Sequence, residues 1–235
     1  MTTTPRHDGR DHAILALDTA TSRVVIAVGT PEGVPIGLTW RPAEHRHGDH
    51  LLPTIGRVLG EANVRRSRLD AIVVGTGPGA FTGLRVGIAT AKGLAHGLRR
   101  PLVGIATSDA LIAAAAAAAA TPPERIVLLL PAGPTDRTVC RLGAPPRLLP
   151  AGADPEPGQG DLLVAIDLAD RAPADAVALG EAARDGLGPQ LLRLAAERLA
   201  AGQPDDLATL VPEYVTLPRG ITAASGEVTW SSDRR

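Results

Sequence analysis

The sequence predicts an α/β protein whose first half is a mixed sheet with helices packed on it. Short apolar runs separated by turns come first, and apolar residues at one-turn spacing replace them from Asp49 onward. After Ala71–Gly75 the chain alternates helix and strand, which implies parallel crossover connections. The 235 residues, 44% of them apolar, are enough to build one large domain or two small ones.

The first half begins with three predicted strands joined by short links, which force neighbouring strands to be antiparallel. An amphipathic helix then runs to Asn63, and a second helix follows a glycine-rich loop. The predicted strands are Ala13–Asp18, Arg23–Gly29, Pro35–Trp40, Ala71–Gly75 and Leu102–Ile105.

The second half is predicted to be a smaller α/β unit. Thr107 and Ser108 are expected to cap an alanine-rich helix that Pro122 stops, and Pro145–Gly160 is expected to be a loop. The predicted strands are Ile126–Leu130, Thr138–Leu142, Leu162–Ile166 and Ala176–Leu179, and a helix is predicted over Leu187–Ala201. The predicted units are a disordered N-terminus (1–12), a first subdomain (13–104), a second (105–217) whose last segment returns to the first, and a disordered tail (218–235).

Composition excludes several classes of function. The formal charge of −1 gives no whole-molecule attraction for nucleic acid, and aromatic residues at 2% leave almost no platforms for stacking bases. The longest apolar run, Ala110–Ala120, is shorter than the ~20 residues of a membrane-spanning helix. A lone Cys140 and an N-terminus without an apolar stretch indicate a cytoplasmic protein with no membrane partner.

The glycine-rich segment GTGPGA (Gly75–Ala80) matches the G-x-G-x-x-G/A pattern of dinucleotide sites. However, Pro78 lacks an amide donor and no acidic residue follows the next strand, while a P-loop lysine is also absent. The loop therefore either contacts a phosphate or simply makes a tight turn against the sheet. The candidate phosphate-binding residues are Asp18, Gly77, Gly79 and Thr82.

The helix after this loop carries a stripe of small residues four apart, and Gly93 and Gly97 weaken it further. Each interior glycine costs ~1 kcal/mol relative to alanine, so close packing must offset the loss. The stripe packs either on the protein's own sheet or, with the preceding helix, on two helices of a partner. The predicted partner interface consists of Leu51, Leu52, Ile55, Val58, Leu59, Gly83, Leu84, Gly87, Ile88, Ala91 and Ala95.

The segment HRHGDH matches the H-x-H-x-D-H constellation of zinc hydrolases, with His45, His47, Asp49 and His50 as candidate ligands. The further downstream ligands of such sites are missing, because His96 is the only later histidine. The other interpretation is a solvated helix start, with Asp49 near the N-terminal amides. A zinc hydrolase remains an alternative function.

Several segments together resemble the TsaB family, also called YeaZ. They are ILALDTATS (14–22), HGDHLLPTI (47–55), GTGPGAFTGLRVGIATAKGLA (75–95), PLVGIATSDAL (101–111) and PEYV (212–215), and they occur in order. The G-P-G-x-F-T-G-x-R pattern is specific to this family and its catalytic relative TsaD. The family's Asp-Ala-Arg pattern in the second half is replaced here by Leu130–Gly133, so the resemblance is weaker there.

The resemblance implies an actin-like ATPase (ASKHA) fold of two α/β subdomains, the second one degenerate. It also implies a non-catalytic scaffold that binds TsaD through its first two helices for threonylcarbamoyladenosine formation at position 37 of ANN-decoding tRNAs. TsaE and tRNA would be reached only through that complex, and a homodimer is expected when TsaD is absent. No cofactor is expected for this chain itself, although ATP or ADP could lie at the TsaD interface.

A second alternative is a nucleotide-binding phosphotransferase of the same fold. Ala20 argues against it, since it stands where nucleotide-binding relatives have glycine after the aspartate.

Overall fold

The first sheet is mixed, as the length of its connections requires. The structure, a computed structural model, describes residues 12–43 and 47–215, with the side chains of 47–49 excepted. Strand order is β3-β2-β1-β4-β5, with antiparallel pairing in the N-terminal meander and parallel pairing after the helical crossovers. The strands are β1 (Ala13–Asp18), β2 (Arg23–Gly29), β3 (Pro35–Pro42), β4 (Leu69–Gly75) and β5 (Leu102–Ile105).

Two helices cover one face of this sheet: α1 (His47–Glu61) and α2 (Phe81–Leu98). Alternate residues of β1, such as Leu15 and Leu17, point to this face and pack against them. After α1 the chain turns at Asn63, which adopts the left-handed conformation that asparagine tolerates.

The second sheet is smaller and also mixed, with strand order β8-β7-β6-β9. β6 and β7 form an antiparallel hairpin, whereas β6 and β9 are parallel. The strands are β6 (Ile126–Ala132), β7 (Asp136–Cys140), β8 (Arg147–Leu149) and β9 (Leu162–Ala165).

Helices α3 (Thr107–Ala118) and α4 (Ala174–Ala200) lie between the two sheets. Their small residues allow the layers to approach closely. A Cβ atom built on Gly186 of α4 would lie 2.8 Å from the side chain of Ala114 in α3. One hydrophobic core therefore joins both sheets through this helical layer.

The segment after α4 returns to the first sheet. Asp205 donates its N–H to the carbonyl of Leu102 (2.8 Å) and accepts a bond from the N–H of Gly104 (2.7 Å). Farther along, Glu213 donates its N–H to the carbonyl of Thr76 (2.8 Å). Residues 210–215 are thereby held beside the glycine-rich loop.

Two element predictions were wrong, while the predicted α/β class with two mixed sheets is confirmed. Ala176–Leu179 is not a strand but the first turns of α4, because a four-residue apolar run fits a buried helix equally well. The predicted loop Pro145–Gly160 contains the short strand β8. The disorder predicted for 1–12 and 218–235 falls outside the described residues, His12 excepted.

Within the residues that the structure describes, none of the helices combines the length and the apolar content that crossing a bilayer requires.

Candidate functional site

The turn between β1 and β2 packs directly against the glycine-rich loop. Ala80 donates its N–H to the carbonyl of Ala20 (2.7 Å), and the Thr19 hydroxyl donates to the carbonyl of Gly83 (2.7 Å). A Cβ atom on Gly79 would lie 2.2 Å from the Ala20 carbonyl oxygen, so only glycine fits there. The loop's glycines therefore make a close internal contact.

Asp18 lies behind this contact and is fully buried. Its carboxylate accepts bonds from the N–H of Ala20 (2.8 Å) and the hydroxyl of Thr107 (2.6 Å). Burial raises the pKa of Asp18, and those two hydrogen bonds partly oppose the rise. The carboxylate has no solvent exposure, and its predicted role beside a metal-bound phosphate remains a prediction.

Thr107 connects Asp18 to the glycine-rich loop. Its hydroxyl donates to Asp18 and accepts a bond from the N–H of Gly77 (3.0 Å). The predicted capping role is wrong, because α3 has no side-chain cap bond and Ala106 is its N-cap. The hydroxyl instead joins the ends of two strands to the start of α3.

The predicted phosphate-binding residues Asp18, Gly77, Gly79 and Thr82 have different surroundings, and the phosphate site remains a prediction. The Gly77 amide is bonded to Thr107, and the neighbouring Ala80 amide is bonded to Ala20. Gly79 borders the cleft described below, whereas Thr82 is exposed at the start of α2. The sequence predicted where the loop lies but not which distant groups accept hydrogen bonds from its amides.

A cleft of about 800 Å³ separates the two halves of the molecule. Its lining includes the only phenylalanine and the only tyrosine of the chain, Phe81 and Tyr214, whose ring centroids lie 4.9 Å apart. The Arg85 guanidinium lies 3.9 Å from the Phe81 ring and donates to the Tyr214 hydroxyl (3.0 Å). The low aromatic content concealed this cluster, because 129 positions separate Arg85 from Tyr214.

The small-residue stripe of α2 faces inward, contrary to its prediction as an open partner surface. A Cβ atom on Gly83 would lie 2.0 Å from the Thr19 carbonyl oxygen, and one on Gly87 would lie 2.2 Å from the Thr19 hydroxyl. Of the predicted interface residues, only Leu52 is exposed, at 55%. The buried ones are Leu51, Ile55, Val58, Leu59, Gly83, Leu84, Gly87, Ile88, Ala91 and Ala95.

The opposite sides of the same two helices carry a different set of small residues. Gly56 and Gly60 of α1 and Gly93 and Gly97 of α2 are exposed. A Cβ atom on any of these four would meet no heavy atom within 4 Å. We define the outer face by these glycines together with the exposed Leu52 and Ala89. These two residues lie one helical turn, four positions, before Gly56 and Gly93.

The described residues do not assemble a metal cluster, since no group of three or more His, Cys, Asp or Glu among them suits an ion. The zinc prediction at His45, His47, Asp49 and His50 remains a prediction. His45 and the side chains of His47 and Asp49 lie outside the description, and the His50 side chain is exposed.

Cys140 is not placed to act as a nucleophile. Burial, together with the charges of Glu213 and Asp109, raises the pKa of Cys140 to about 12. The thiol therefore stays protonated at neutral pH, and thiolates rather than thiols attack substrates.

Two α/β halves with mixed sheets, helices packed between them and a cleft at their junction define a protein of the actin-like fold class. YeaZ from Pseudomonas aeruginosa superposes with a TM-score of 0.69 and 26% identity, covering 86% of this chain and 98% of that one. Residues 34–142 match the family model described as TsaD, tRNA N6-adenosine threonylcarbamoyltransferase.

Relatives found by sequence similarity are consistent with the structural match. An uncharacterized protein of Mycobacterium tuberculosis is 38% identical over 99 residues, which are 42% of this chain and 47% of that protein. The tRNA threonylcarbamoyladenosine biosynthesis protein TsaB of Escherichia coli is 36% identical over 94 residues, 40% of each chain. The aligned part thus spans less than half of these curated relatives. In both sequence and fold, the chain is similar to TsaB and YeaZ proteins.

Proposed function

We propose that this chain is a non-catalytic partner subunit of a TsaD-type transferase in tRNA threonylcarbamoyladenosine biosynthesis. The proposal rests on the similarity to TsaB of Escherichia coli and on the match to the TsaD family model. TsaD-like and TsaB-like chains that share a fold can pair through equivalent helices, as two-fold related subunits do.

The outer face of α1 and α2 is the proposed TsaD-binding surface. Each of its glycines lies inside a helix, at a cost of ~1 kcal/mol relative to alanine. Contacts within the described chain do not offset that cost, because open space surrounds the position of each missing Cβ atom. Close approach by two helices of a partner would offset it, with Leu52 as an apolar anchor.

This chain stabilises and activates TsaD, while TsaE and the ANN-decoding tRNA engage through the complex and adenosine 37 is modified there. The chain requires no cofactor of its own. ATP or ADP at the shared interface would need donors from the partner, because the Gly77 and Ala80 amides are already bonded.

Co-purification with TsaD from the same organism tests the surface. Gly93→Leu places a bulky side chain on the outer face, and we expect at least a tenfold loss of TsaD affinity with the monomer still folded. Ala182→Leu on the exposed side of α4 is the matched control and should bind normally. Normal TsaD binding by both Gly93→Leu and Gly56→Leu would contradict the proposed surface.

A functional assay tests the role itself. Modified nucleoside formed by TsaD, TsaE and substrate tRNA should fall strongly when this chain is omitted, and Gly93→Leu should restore little of it. Modification that proceeds equally well without the chain would exclude the activator role. Gel filtration of the isolated chain tests whether the same face forms a homodimer, which Gly93→Leu should convert to monomer.

A further inference from the structure

Strand β3 presents a row of exposed apolar side chains. Ile36, Leu38 and Trp40 are 36%, 45% and 49% exposed, and Val34, just before the strand, is 57% exposed. These four are half of the eight large apolar side chains that are exposed among the described residues. Soluble proteins rarely leave a contiguous apolar row in water, so this concentration indicates a surface that another segment covers.

The row lies on the face of the first sheet that α4 covers only in part. A Cβ atom on Gly188 of α4 would lie 2.6 Å from the Leu38 side chain, so the helix reaches the middle of the row. The Arg23 guanidinium lies 4.1 Å from the centre of the Trp40 ring and pairs with Asp185 of α4 (2.8 Å). Both apolar side chains stay about half exposed despite these contacts, so α4 leaves a ledge beside itself.

β3 is also the outermost strand of the first sheet in the described part of the chain. One side of it pairs with β2 from end to end, and its other side, the free edge, borders no strand among the described residues. Pro35 and Pro42 lack an N–H and limit a further strand to residues 36–41. An edge strand with exposed apolar side chains is a template for pairing with another extended segment.

The C-terminal segment of the same chain starts close to this edge. Val215, the last described residue, lines the cleft together with Ala43, which follows β3 directly. Residues 216–227 reach up to roughly 40 Å when extended, whereas the eight residues of β3 span roughly 26 Å. The residues that follow can therefore reach every position along the free edge.

Residues 226–231, with the sequence GEVTWS, have the pattern of a strand with one apolar side. Val228 and Trp230 alternate with the polar Glu227 and Thr229. Valine, threonine and tryptophan are enriched in strands, and alternate residues of an extended chain fall on the same side. The segment thus has one apolar side of its own to set against the apolar row of β3.

We propose that residues 226–231 add to the free edge of β3 as an antiparallel strand. The segment comes from the Pro42 end of β3 and runs toward Pro35, opposite to the direction of the strand. Val228 and Trp230 then cover the exposed row. Because α1 and α2 pack on the opposite face of the sheet, the proposal does not depend on TsaD binding by the outer face.

Hydrogen exchange of the unmodified chain tests the added strand. Amide protons of residues 36–41 that do not bond to β2 are compared by NMR in the full chain and in a chain shortened to residues 1–217. We expect them to exchange at least tenfold faster in the shortened chain, because the added strand would accept their hydrogen bonds. Equal exchange in the two folded chains would overturn the proposal.

Fluorescence quenching tests the cover over Trp40, since the chain has only two tryptophans. Trp230→Phe in the full chain keeps an aromatic ring and leaves Trp40 as the one tryptophan, as does the shortened chain. We expect acrylamide to quench Trp40 at least twofold less in the full Trp230→Phe chain. Equal quenching in both would contradict the proposed cover.

Two matched charges locate the apolar side of the segment, both placed in the full Trp230→Phe chain. Val228→Asp should raise the quenching of Trp40 to the level of the shortened chain, because it puts a charge against the apolar row. Thr229→Asp puts the same charge on the other side of the strand and should leave quenching unchanged. Equal effects of the two substitutions would overturn the proposal.

Cysteine pairs distinguish the chain's own segment from a second copy of the chain. The one natural cysteine, Cys140, is buried, so it does not compete with an introduced pair. Under mild oxidation, Leu38→Cys or Ile36→Cys combined with Val228→Cys should form a disulfide within one chain. The control pair uses Leu148→Cys, at an apolar position of β8 that is 38% exposed, and should yield at least tenfold less. A disulfide only between chains, or a yield no higher than that of the control pair, would overturn the proposal.

Discussion

Helix α2 carries two stripes of small residues with opposite surroundings. The inner stripe, represented by Gly83 and Gly87, touches the Thr19 backbone and hydroxyl so closely that a Cβ atom cannot fit. The outer stripe, represented by Gly93 and Gly97, has no heavy atom within 4 Å of the position of a Cβ atom. Glycines in both stripes destabilise the helix by the same ~1 kcal/mol relative to alanine. Only the glycines of the inner stripe make contacts within the chain that offset this loss.

Four-residue spacing identifies a flat stripe of small residues on a helix but does not indicate whether that stripe faces the core or the solvent. Ala91 belongs to the inner stripe and Gly93 to the outer one, and two residues correspond to roughly 200° around a helix. The large apolar neighbours Leu84 and Ile88, both buried, mark the inward side. The stripe adjacent to them is therefore the stripe that packs on the sheet.

The largest effect is expected from Gly83→Ala. The new methyl group would lie 2.0 Å from the Thr19 carbonyl oxygen, which is a backbone atom and cannot move without disturbing β1. We expect a loss of about 3 kcal/mol or more in the free energy of unfolding, measured by urea denaturation. A Gly83→Ala chain as stable as wild type would contradict the inward assignment of the stripe.

A smaller loss is expected from Thr107→Val, which keeps the shape of the side chain but removes its hydroxyl. Asp18 and the Gly77 amide each lose a partner at a buried site. We expect a destabilisation of about 2–3 kcal/mol, because a buried ionisable group left short of a partner is costly. Thr82→Val, in the exposed first turn of α2, is the control and should change stability little.

The outer stripe should respond in the opposite direction. Gly93→Ala adds a methyl group in open space within a helix, so the isolated chain should gain about 1 kcal/mol in its free energy of unfolding. The same denaturation experiment measures it beside Gly83→Ala. A clear loss of stability would mean that the outer face packs against another part of the chain.

The sequence predicted strands well where burial on both faces makes the apolar run continuous. Ala13–Asp18, Arg23–Gly29 and Leu102–Ile105 have the predicted bounds. It failed at Ala176–Leu179, which lies in a helix of 27 residues, Ala174–Ala200. That helix contacts α3 and both sheets, but most of its buried residues are alanine or glycine, so its apolar periodicity is weak.

The site was less predictable because its contacts are distant in sequence. Asp18 and Thr107 are 89 residues apart, and Ser22 and Asp167 are 145 apart. Asp167 did carry a signal, since an aspartate follows the apolar run of β9 just as Asp18 ends β1. The orientation of a helix stripe and the partners of loop amides depend on tertiary packing, which local patterns do not contain.

The smallest effect is expected from Asp18, which ends β1 just before the turn that the inner stripe contacts, and it is an effect on the pH dependence of stability. Burial raises the pKa of Asp18 in the folded chain above its unfolded value of 3.8, so the unfolded chain loses this proton first as pH rises. The free energy of unfolding should therefore fall between pH 4 and the higher folded pKa. Asp18→Asn should remove this part of the slope. Burial also raises the pKa values of Asp109 and Glu213, so their shared slope persists in the variant and only the difference between the two chains reports on Asp18. Identical slopes in Asp18→Asn and wild type would show that the Asp18 carboxylate keeps an ordinary pKa and that its bonds to Ala20 and Thr107 offset its burial.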